Sequence, residues 1–151
     1  MLRLARVQDA QAMACMARDL IEAGLEWRYT PVRVAALVSD RDTTALVACD
    51  GPRIHGFAVM HFGDLHAHLT LLCVQVAQHR RGIGRRLHEW LLASARVAGM
   101  VSIRLELRAD NANALSFYRA LGFAETLLVP GYYDGRVAAR RMTLRLSEAT
   151  A

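Results

Sequence analysis

The chain turns from an apolar run into a helical pattern at the stretch His79-Arg80-Arg81-Gly82-Ile83-Gly84-Arg85-Arg86-Leu87. The run before it, residues 69–74, is apolar enough for a buried strand. A strand that turns through glycines into a helix presents bare N–H groups, which carry partial positive charge and bind phosphate. Two glycines let an anion approach the main chain because no Cβ stands in the way. The stretch therefore predicts a phosphate cradle.

Length and composition predict a single globular domain over residues 1–151, because 54% of the residues are apolar and 22% are charged. The chain shows no internal repeat, no low-complexity segment and no apolar stretch of the roughly 20 residues that a membrane helix needs. Its first residues also lack the apolar core of a signal peptide. We therefore expect a cytoplasmic protein without membrane contact.

The net charge of +5 comes from nineteen arginines and no lysine, and it suggests a polyanionic partner. Nucleic acid is one candidate, but the arginines are scattered and only 7% of the residues are aromatic. An arginine cluster around one glycine turn favours a small phosphorylated ligand instead. The three cysteines, Cys15, Cys49 and Cys73, have no metal-binding spacing, which predicts free buried thiols and no metal site.

Hydrophobic periodicity predicts about seven strands and four helices, an α/β (α+β) fold with a mixed central sheet. The predicted strands are residues 3–6, 43–49, 54–62, 67–76, 101–108, 123–129 and 137–146. The predicted helices begin near Asp9, at Pro31, at Gly84 and at Asn111 or Asn113, and they end near residues 24, 39, 98 and 121. Residues 25–30 and 130–135 are predicted loops.

Two familiar glycine loops do not fit the stretch. A P-loop requires a lysine, which the chain lacks. A dinucleotide-binding fingerprint requires a third glycine where Leu87 stands, and it normally follows the first strand of a domain.

The stretch instead resembles a signature of the GNAT superfamily of acetyl-CoA-dependent N-acetyltransferases, in the form Val74-x4-His79-x2-Gly82-x-Gly84. Downstream, Asn111-x2-Ala114-x2-Phe117-Tyr118-x3-Gly122-Phe123 is similar to the family's second signature. Both occur in family order, and the likeness spans residues 2–146. It implies a GNAT fold whose sheet is splayed in the middle, with helices on both faces. It also implies transfer of an acetyl group from acetyl-CoA to a primary amine, and the branch most similar by motif acetylates protein N-termini (ribosomal-protein alanine).

The resemblance also implies how the coenzyme is held. Backbone amides at the glycine turn would bind the pyrophosphate, and a bulge in the strand near Val74 would free an N–H for the thioester carbonyl. His79 stands where the family has Gln or Arg, and the amides and arginines are expected to compensate. The expected cofactor-binding residues are Val74, Val76, Arg81, Gly82, Ile83, Gly84, Arg85, Arg86, Asn111 and Tyr118. Arg80 adds charge, and Asn111 has a second interpretation as a helix cap.

Three residues are candidates for proton transfer. Tyr118 matches the family tyrosine that protonates the departing coenzyme thiolate, although its apolar surroundings also fit a core tyrosine. Glu106 resembles the base of the N-terminal acetyltransferase branch, and its alternative is a salt bridge with Arg104 or Arg108. His68 is the rival base, since imidazole titrates near neutral pH.

Two aromatic loops are expected to flank the amine acceptor: Trp27 and Tyr29 lie in one, and Tyr132 and Tyr133 in the other. They could equally pack as a cover over the core or form a homodimer contact. Two further functions stay open, namely a non-catalytic acyl-CoA-binding regulator on the same fold and a basic nucleic-acid-binding protein.

Overall fold

The computed structural model describes residues 1–147, which form one seven-stranded sheet with helices on both faces. The strands are β1 (Leu2–Leu4), β2 (Thr43–Asp50), β3 (Arg53–Phe62), β4 (His66–Val74), β5 (Ser102–Arg108), β6 (Ala124–Tyr133) and β7 (Val137–Arg145). The helices are α1 (Ala10–Leu20), α2 (Pro31–Ser39), α3 (Ile83–Val97) and α4 (Ala112–Ala120). Short 3-10 turns occupy Val7–Asp9 and Val76–Gln78.

The sheet divides between β4 and β5. The strand order is β1-β2-β3-β4-β5-β7-β6, and all neighbours are antiparallel except β4 and β5, which are parallel. Their pairing covers three residues, from His66↔Ser102 to His68↔Arg104. Beyond His68 the two strands diverge and leave a gap in the middle of the sheet. The predicted splayed mixed sheet is confirmed.

Each face of the sheet has its own apolar core. α1 and α2 cover one face with buried side chains such as Met13 and Val34. α3 and α4 cover the other with Leu87, Leu91 and Tyr118. Within residues 1–147, none of these helices is long and apolar enough to cross a membrane.

Most predicted elements lie where the periodicity put them, and α2 has the predicted bounds. Its cap is Thr30, whose hydroxyl accepts the N–H of Arg33 at 3.4 Å, and Pro31 occupies the first turn. In β5 the apolar residues of the alternating pattern are buried, as expected; they are Ile103, Leu105 and Leu107.

The structure contradicts the predicted bounds of the first strand, the predicted capping role of Asp9 and the predicted loop 130–135. The first strand occupies Leu2–Leu4 and not residues 3–6, since Asp9 draws the chain into a turn by accepting the Arg6 N–H at 2.7 Å. Asp9 also pairs with Arg3, so its carboxylate does not cap α1. The predicted loop 130–135 is largely strand: β6 runs through Pro130 to Tyr133, which an edge strand permits because it lacks a partner on one side.

The bulge in β4 lies at Thr70 and not next to Val74. The register with β3 steps from Met60↔Leu69 to Val59↔Leu71, so Thr70 has no partner in β3. A bulge turns consecutive side chains toward the same face. Ala67 and Leu69 accordingly belong to the α3–α4 core, whereas Leu71 belongs to the α1–α2 core.

Candidate active site

The phosphate loop, residues 79–87, leads from β4 into α3 and presents unpaired amides. Gly82 adopts φ +75°, the left-handed region that glycine tolerates best, and Arg80 adopts φ +65°. Within residues 1–147, the N–H groups of residues 80–85 have no acceptor, and the first intrahelical bond runs from the Arg86 N–H to the Gly82 carbonyl at 3.0 Å. The start of α3 therefore offers several donors and the positive end of a helix.

Two packing contacts fix this loop on the sheet. His79 Nε2 lies 2.9 Å from the Val74 carbonyl oxygen, and because a carbonyl only accepts, the ring must carry its proton on Nε2. Gly84 faces α4, where a Cβ would come within 3.2 Å of the Phe117 ring. The backbone angle thus favours glycine at residue 82, and the close approach of Phe117 favours it at residue 84.

The loop is surrounded by cations. Arg80, Arg81, Arg85 and Arg86 are exposed and make no ion pair in the part of the chain that the structure describes. Val76 is exposed in the 3-10 turn before the loop. Asn111 caps α4 by accepting the Ala114 N–H at 3.0 Å, so the capping role is confirmed.

The gap beyond His68 exposes the free edge of β4. The Gln75 N–H donates to His55 of β3 at 2.8 Å. Because hydrogen-bonded and non-bonded residues alternate in an antiparallel ladder, the N–H of Val74 points away from β3 and toward the gap. An extended ligand with its own amides can pair with this edge as an added strand.

Tyr118 lies in the core at the side of this gap. Its ring packs edge to face against Phe117 and Phe123, with centroids 5.1 and 5.5 Å away. Burial raises the pKa of Tyr118, and the neighbouring Cys73 and Tyr133 raise it further. The phenol therefore keeps its proton at neutral pH.

On the α1–α2 side the gap opens into a cavity of about 380 Å³, called here the acceptor cavity. Carboxylates outnumber arginines in its lining: Glu22, Glu26, Glu106 and Asp134 face Arg28 and Arg33. Tyr29, Tyr132 and Tyr133 also line it, together with His68 and Thr70. Trp27 does not; its indole N–H donates to the Ala14 carbonyl at 3.2 Å, and it packs on the core as a cover.

Glu106 stands at the back of the acceptor cavity, and both of its oxygens are engaged. Oε1 lies 2.8 Å from His68 Nε2 and accepts from the Tyr132 hydroxyl at 3.3 Å, and Oε2 accepts from Arg141 Nε at 3.1 Å. The hydrogen bond from His68, helped by Arg141 and opposed by burial, lowers the pKa of Glu106 to about 2. A carboxylate so strongly stabilised is a weak proton acceptor but a strong anchor for a cation.

A strap between two distant segments closes one side of the acceptor cavity. Asp134, in the turn between β6 and β7, accepts the Glu26 N–H at 2.8 Å and pairs with Arg28 at 2.8 Å. Arg136 donates to the Gly24 carbonyl at 2.8 Å, and Arg108 to the Ala23 carbonyl at 2.7 Å. The loop between α1 and α2 is thereby tied to β5 and to the β6–β7 turn.

Sequence reasoning missed three residues of this site. Glu22 is buried, and its carboxylate accepts the N–H groups of Arg28 at 2.8 Å and Tyr29 at 3.3 Å, so it shapes the loop. Thr70 and Arg141 contact His68 and Glu106. Glu22 lies between Leu20, where α1 ends, and Gly24, and no sequence pattern marked it. The spacing His68-x-Thr70, which puts both side chains on one face of a strand, was a signal for Thr70.

Comparison with known proteins identifies the architecture. The acetyltransferase (GNAT) family matches residues 11–123. The [ribosomal protein bS18]-alanine N-acetyltransferase of Escherichia coli K12 is 35% identical over 98 residues, which are 63% of this chain and 66% of that protein, just short of two thirds of its length. Streptothricin acetyltransferase of Streptomyces lavendulae is 33% identical over 111 residues, 72% of this chain and 58% of that one.

The crystal structure of Ard1 from Thermoplasma volcanium superposes with a TM-score of 0.86 at 27% identity, over 98% of each chain. On the strength of the family match over three quarters of its length, this chain belongs to the acetyltransferase (GNAT) family.

Proposed function

We propose that the protein is an N-acetyltransferase that moves an acetyl group from acetyl-CoA to a primary amine. The observation that carries the proposal is the gap between β4 and β5, which joins unpaired amides and free arginines at one end to an acid-lined cavity at the other. The unpaired amides and arginines suit a diphosphate, and the acid-lined cavity suits an ammonium group. A reaction that joins such partners must take place where the two meet, in the gap.

The residues present fit the coenzyme. The amides that begin α3 would hold its diphosphate, with Arg81, Arg85 and Arg86 nearby, and the free edge of β4 at Val74 would hold its amide-bearing arm. When bound, acetyl-CoA supplies the activated acetyl thioester. The N–H of Val74 is suited to hold the carbonyl oxygen, since a preorganised donor in a gap shielded from water stabilises developing negative charge.

We assign the proton transfers to His68, Glu106 and Tyr118. His68 accepts a proton from the amine, and the carboxylate of Glu106 stabilises the imidazolium that results. The low pKa of Glu106 argues against its being the base itself. Tyr118, whose phenol burial keeps protonated, donates to the departing thiolate.

For the acceptor we favour a protein N-terminus. The acceptor cavity is strapped on one side by Asp134 and is lined by three tyrosines, so it admits an extended chain end more readily than a bulky rigid molecule. The similarity to the bS18-alanine acetyltransferase supports this class. The similarity to streptothricin acetyltransferase favours a second candidate, a small-molecule amine. A cytoplasmic location remains a prediction of the sequence.

A thiol-release assay tests the proposal. Purified protein is incubated with acetyl-CoA and, in parallel, with peptides bearing a free N-terminal alanine, N-blocked peptides and small amines. We expect release that depends on a free amine, and we expect Tyr118→Phe to lose most turnover while calorimetry shows unchanged binding of acetyl-CoA. Binding without turnover on any amine would favour an acyl-CoA-binding regulator. Absence of binding would reject both.

A further inference from the structure

His68 lines the acceptor cavity, and each of its two ring nitrogens has a partner within the protein. Nε2 points to the carboxylate of Glu106 at 2.8 Å, and a carboxylate only accepts, so Nε2 carries the proton of the neutral ring. The lone pair of that tautomer is therefore on Nδ1. Nδ1 lies 3.1 Å from the hydroxyl oxygen of Thr70.

Thr70 is the extra residue of the β4 bulge, and because it stands two residues after His68, both side chains lie on the same face of the strand. The register shift against β3 leaves Thr70 without a partner strand residue, and it brings the side chains of Thr70 and Leu71 to the same wall of the acceptor cavity. The pairing of β4 with β5 ends two residues earlier, at His68. Thr70 thus stands where the acceptor cavity meets the gap.

We propose that Thr70 is a proton-relay residue that stands between the acceptor amine and His68. The inference rests on the function proposed above. The ammonium group of the acceptor gives one proton to the Thr70 oxygen while the Thr70 hydroxyl proton passes to His68 Nδ1. The products of this step are a neutral amine, an unchanged threonine hydroxyl and an imidazolium paired with Glu106.

The acetyl transfer that follows also conserves protons and charge. The amine nitrogen forms a bond to the acetyl carbon, the carbon–sulfur bond breaks, and the electron pair leaves on sulfur. Tyr118 protonates the thiolate and recovers a proton from the new amide nitrogen. His68 returns its proton to solvent, so one turnover consumes an ammonium and a thioester and yields an amide, a thiol and one proton.

Other charged and titratable groups surround Thr70 and His68, and they also influence how the rate depends on pH. From β5 and β7 the relay is faced by Glu106 and Arg141. The other charged or titratable groups of the cavity come from β6, the β6–β7 turn, the α1–α2 loop and α2; they are Tyr132, Tyr133, Asp134, Glu22, Glu26, Arg28, Tyr29 and Arg33. A pH profile of one variant is therefore not decisive. The comparison must be between variants of Thr70 that share all these neighbours.

The decisive experiment compares Thr70→Val, which keeps the branched shape and removes the hydroxyl, with Thr70→Ser, which keeps the hydroxyl. Thr44→Val, a half-buried threonine of β2, is the matched control. With a peptide α-amine, whose ordinary pKa is about 7.7–8.0, kcat of Thr70→Val should fall roughly 30-fold at about pH 6.5. The deficit should shrink to about twofold at about pH 9.5, where the amine arrives unprotonated. Thr70→Ser should stay within about threefold of wild type, and all variants should bind acetyl-CoA equally.

A purely structural role predicts a deficit that does not change with pH, and that result would overturn the relay while leaving the proposed function intact. Detection of an acetyl group on Thr70 by mass spectrometry would also overturn it, because the residue would then be an acyl acceptor. If wild type acetylates no amine, nitrogen NMR of the His68 ring still decides: a neutral ring protonated on Nδ1 rejects the relay. The expected spectrum shows Nε2–H, with an Nδ1 resonance that moves in Thr70→Val.

Discussion

The two ends of the gap are built in opposite ways. At the phosphate loop the donors are backbone amides without acceptors and the arginines make no ion pair within residues 1–147. In the acceptor cavity the side chains of Glu22, Glu106 and Asp134 already have partners within the protein. The phosphate loop therefore keeps its donors and charges available for a ligand. The carboxylates of the acceptor cavity hold neighbouring protein groups in place. Under the proposed function, the same gap combines a docking site for the coenzyme with a preorganised reaction site.

The largest effect should follow from breaking the backbone geometry of the docking end. Gly82→Val places a branched side chain at φ +75°, so the loop must shift and the amides lose their alignment. We expect affinity for acetyl-CoA to fall about 100-fold, which is about 2.7 kcal/mol, as measured by calorimetry.

Gly99→Val supplies the control, since Gly99 has φ +77°, lies beyond the far end of α3, and has open space within 4 Å of the point that a Cβ would occupy. Each glycine-to-valine change should lower the free energy of unfolding by roughly 1–2 kcal/mol, but Gly99→Val should leave the affinity for acetyl-CoA unchanged. Equal loss of affinity in both variants would show that the phosphate loop is not the docking end.

A smaller effect should follow from weakening the preorganised end. Glu106→Gln keeps the shape but removes the charge that stabilises an imidazolium on His68. We expect kcat to fall about 20-fold at neutral pH, with little change in affinity for acetyl-CoA. Glu125→Gln is the matched control, because Glu125 forms an ion pair with Arg140 at 2.8 Å outside the acceptor cavity. A Glu106→Gln variant with full kcat would remove the carboxylate from the mechanism.

The docking end could be predicted from sequence because its determinants are local. Gly82 and Gly84 lie two residues apart, follow an apolar strand and begin a helix, and the structure gives both the predicted place. The splayed sheet could also be predicted from the sequence, because the two signatures that begin at Val74 and Asn111 carry the resemblance that implies it.

The preorganised end could not be predicted in the same way because it combines side chains from distant segments. His68 and Glu106 are 38 residues apart and meet only because β4 and β5 are parallel neighbours. The sequence offered them as rival bases, whereas the structure brings them into one hydrogen-bonded pair. The place of Thr70 beside the gap depends on the end of the β4–β5 pairing at His68, which residues 66–74 alone do not indicate.

A modest effect is expected from the strap that bounds the acceptor cavity. Asp134→Asn weakens the link to Arg28 and to the Glu26 N–H, so the α1–α2 loop becomes less ordered around the acceptor. We expect KM for the amine to rise about fivefold and kcat to change less than twofold, with affinity for acetyl-CoA unchanged. Asp19→Asn, which breaks the exposed pair with Arg18, should change none of these values. An effect confined to kcat would place Asp134 in the chemistry rather than in acceptor binding.

The last prediction separates Glu106 from His88, a buried histidine of α3, by the pH dependence of stability. Glu106 has a pKa lowered from 4.5 to about 2, so the unfolded chain binds more protons between these values and the stabilisation present above pH 4.5 is lost as pH falls toward 2. After screening by the solvent that enters the cavity, this stabilisation is worth roughly 1–2 kcal/mol. His88 of α3 is buried, its Nε2 has no partner within residues 1–147, and burial lowers its pKa from 6.5. Protonation of His88 therefore lowers the free energy of unfolding from about pH 6.5 downward, at a higher pH than protonation of Glu106 does.

Urea titrations at a series of pH values measure the free energy of unfolding. The His88→Leu variant should show a weaker dependence on pH below 6.5, and Glu106→Gln should show one only below pH 4.5. Identical pH ranges for the two variants would contradict the assignment of the two groups.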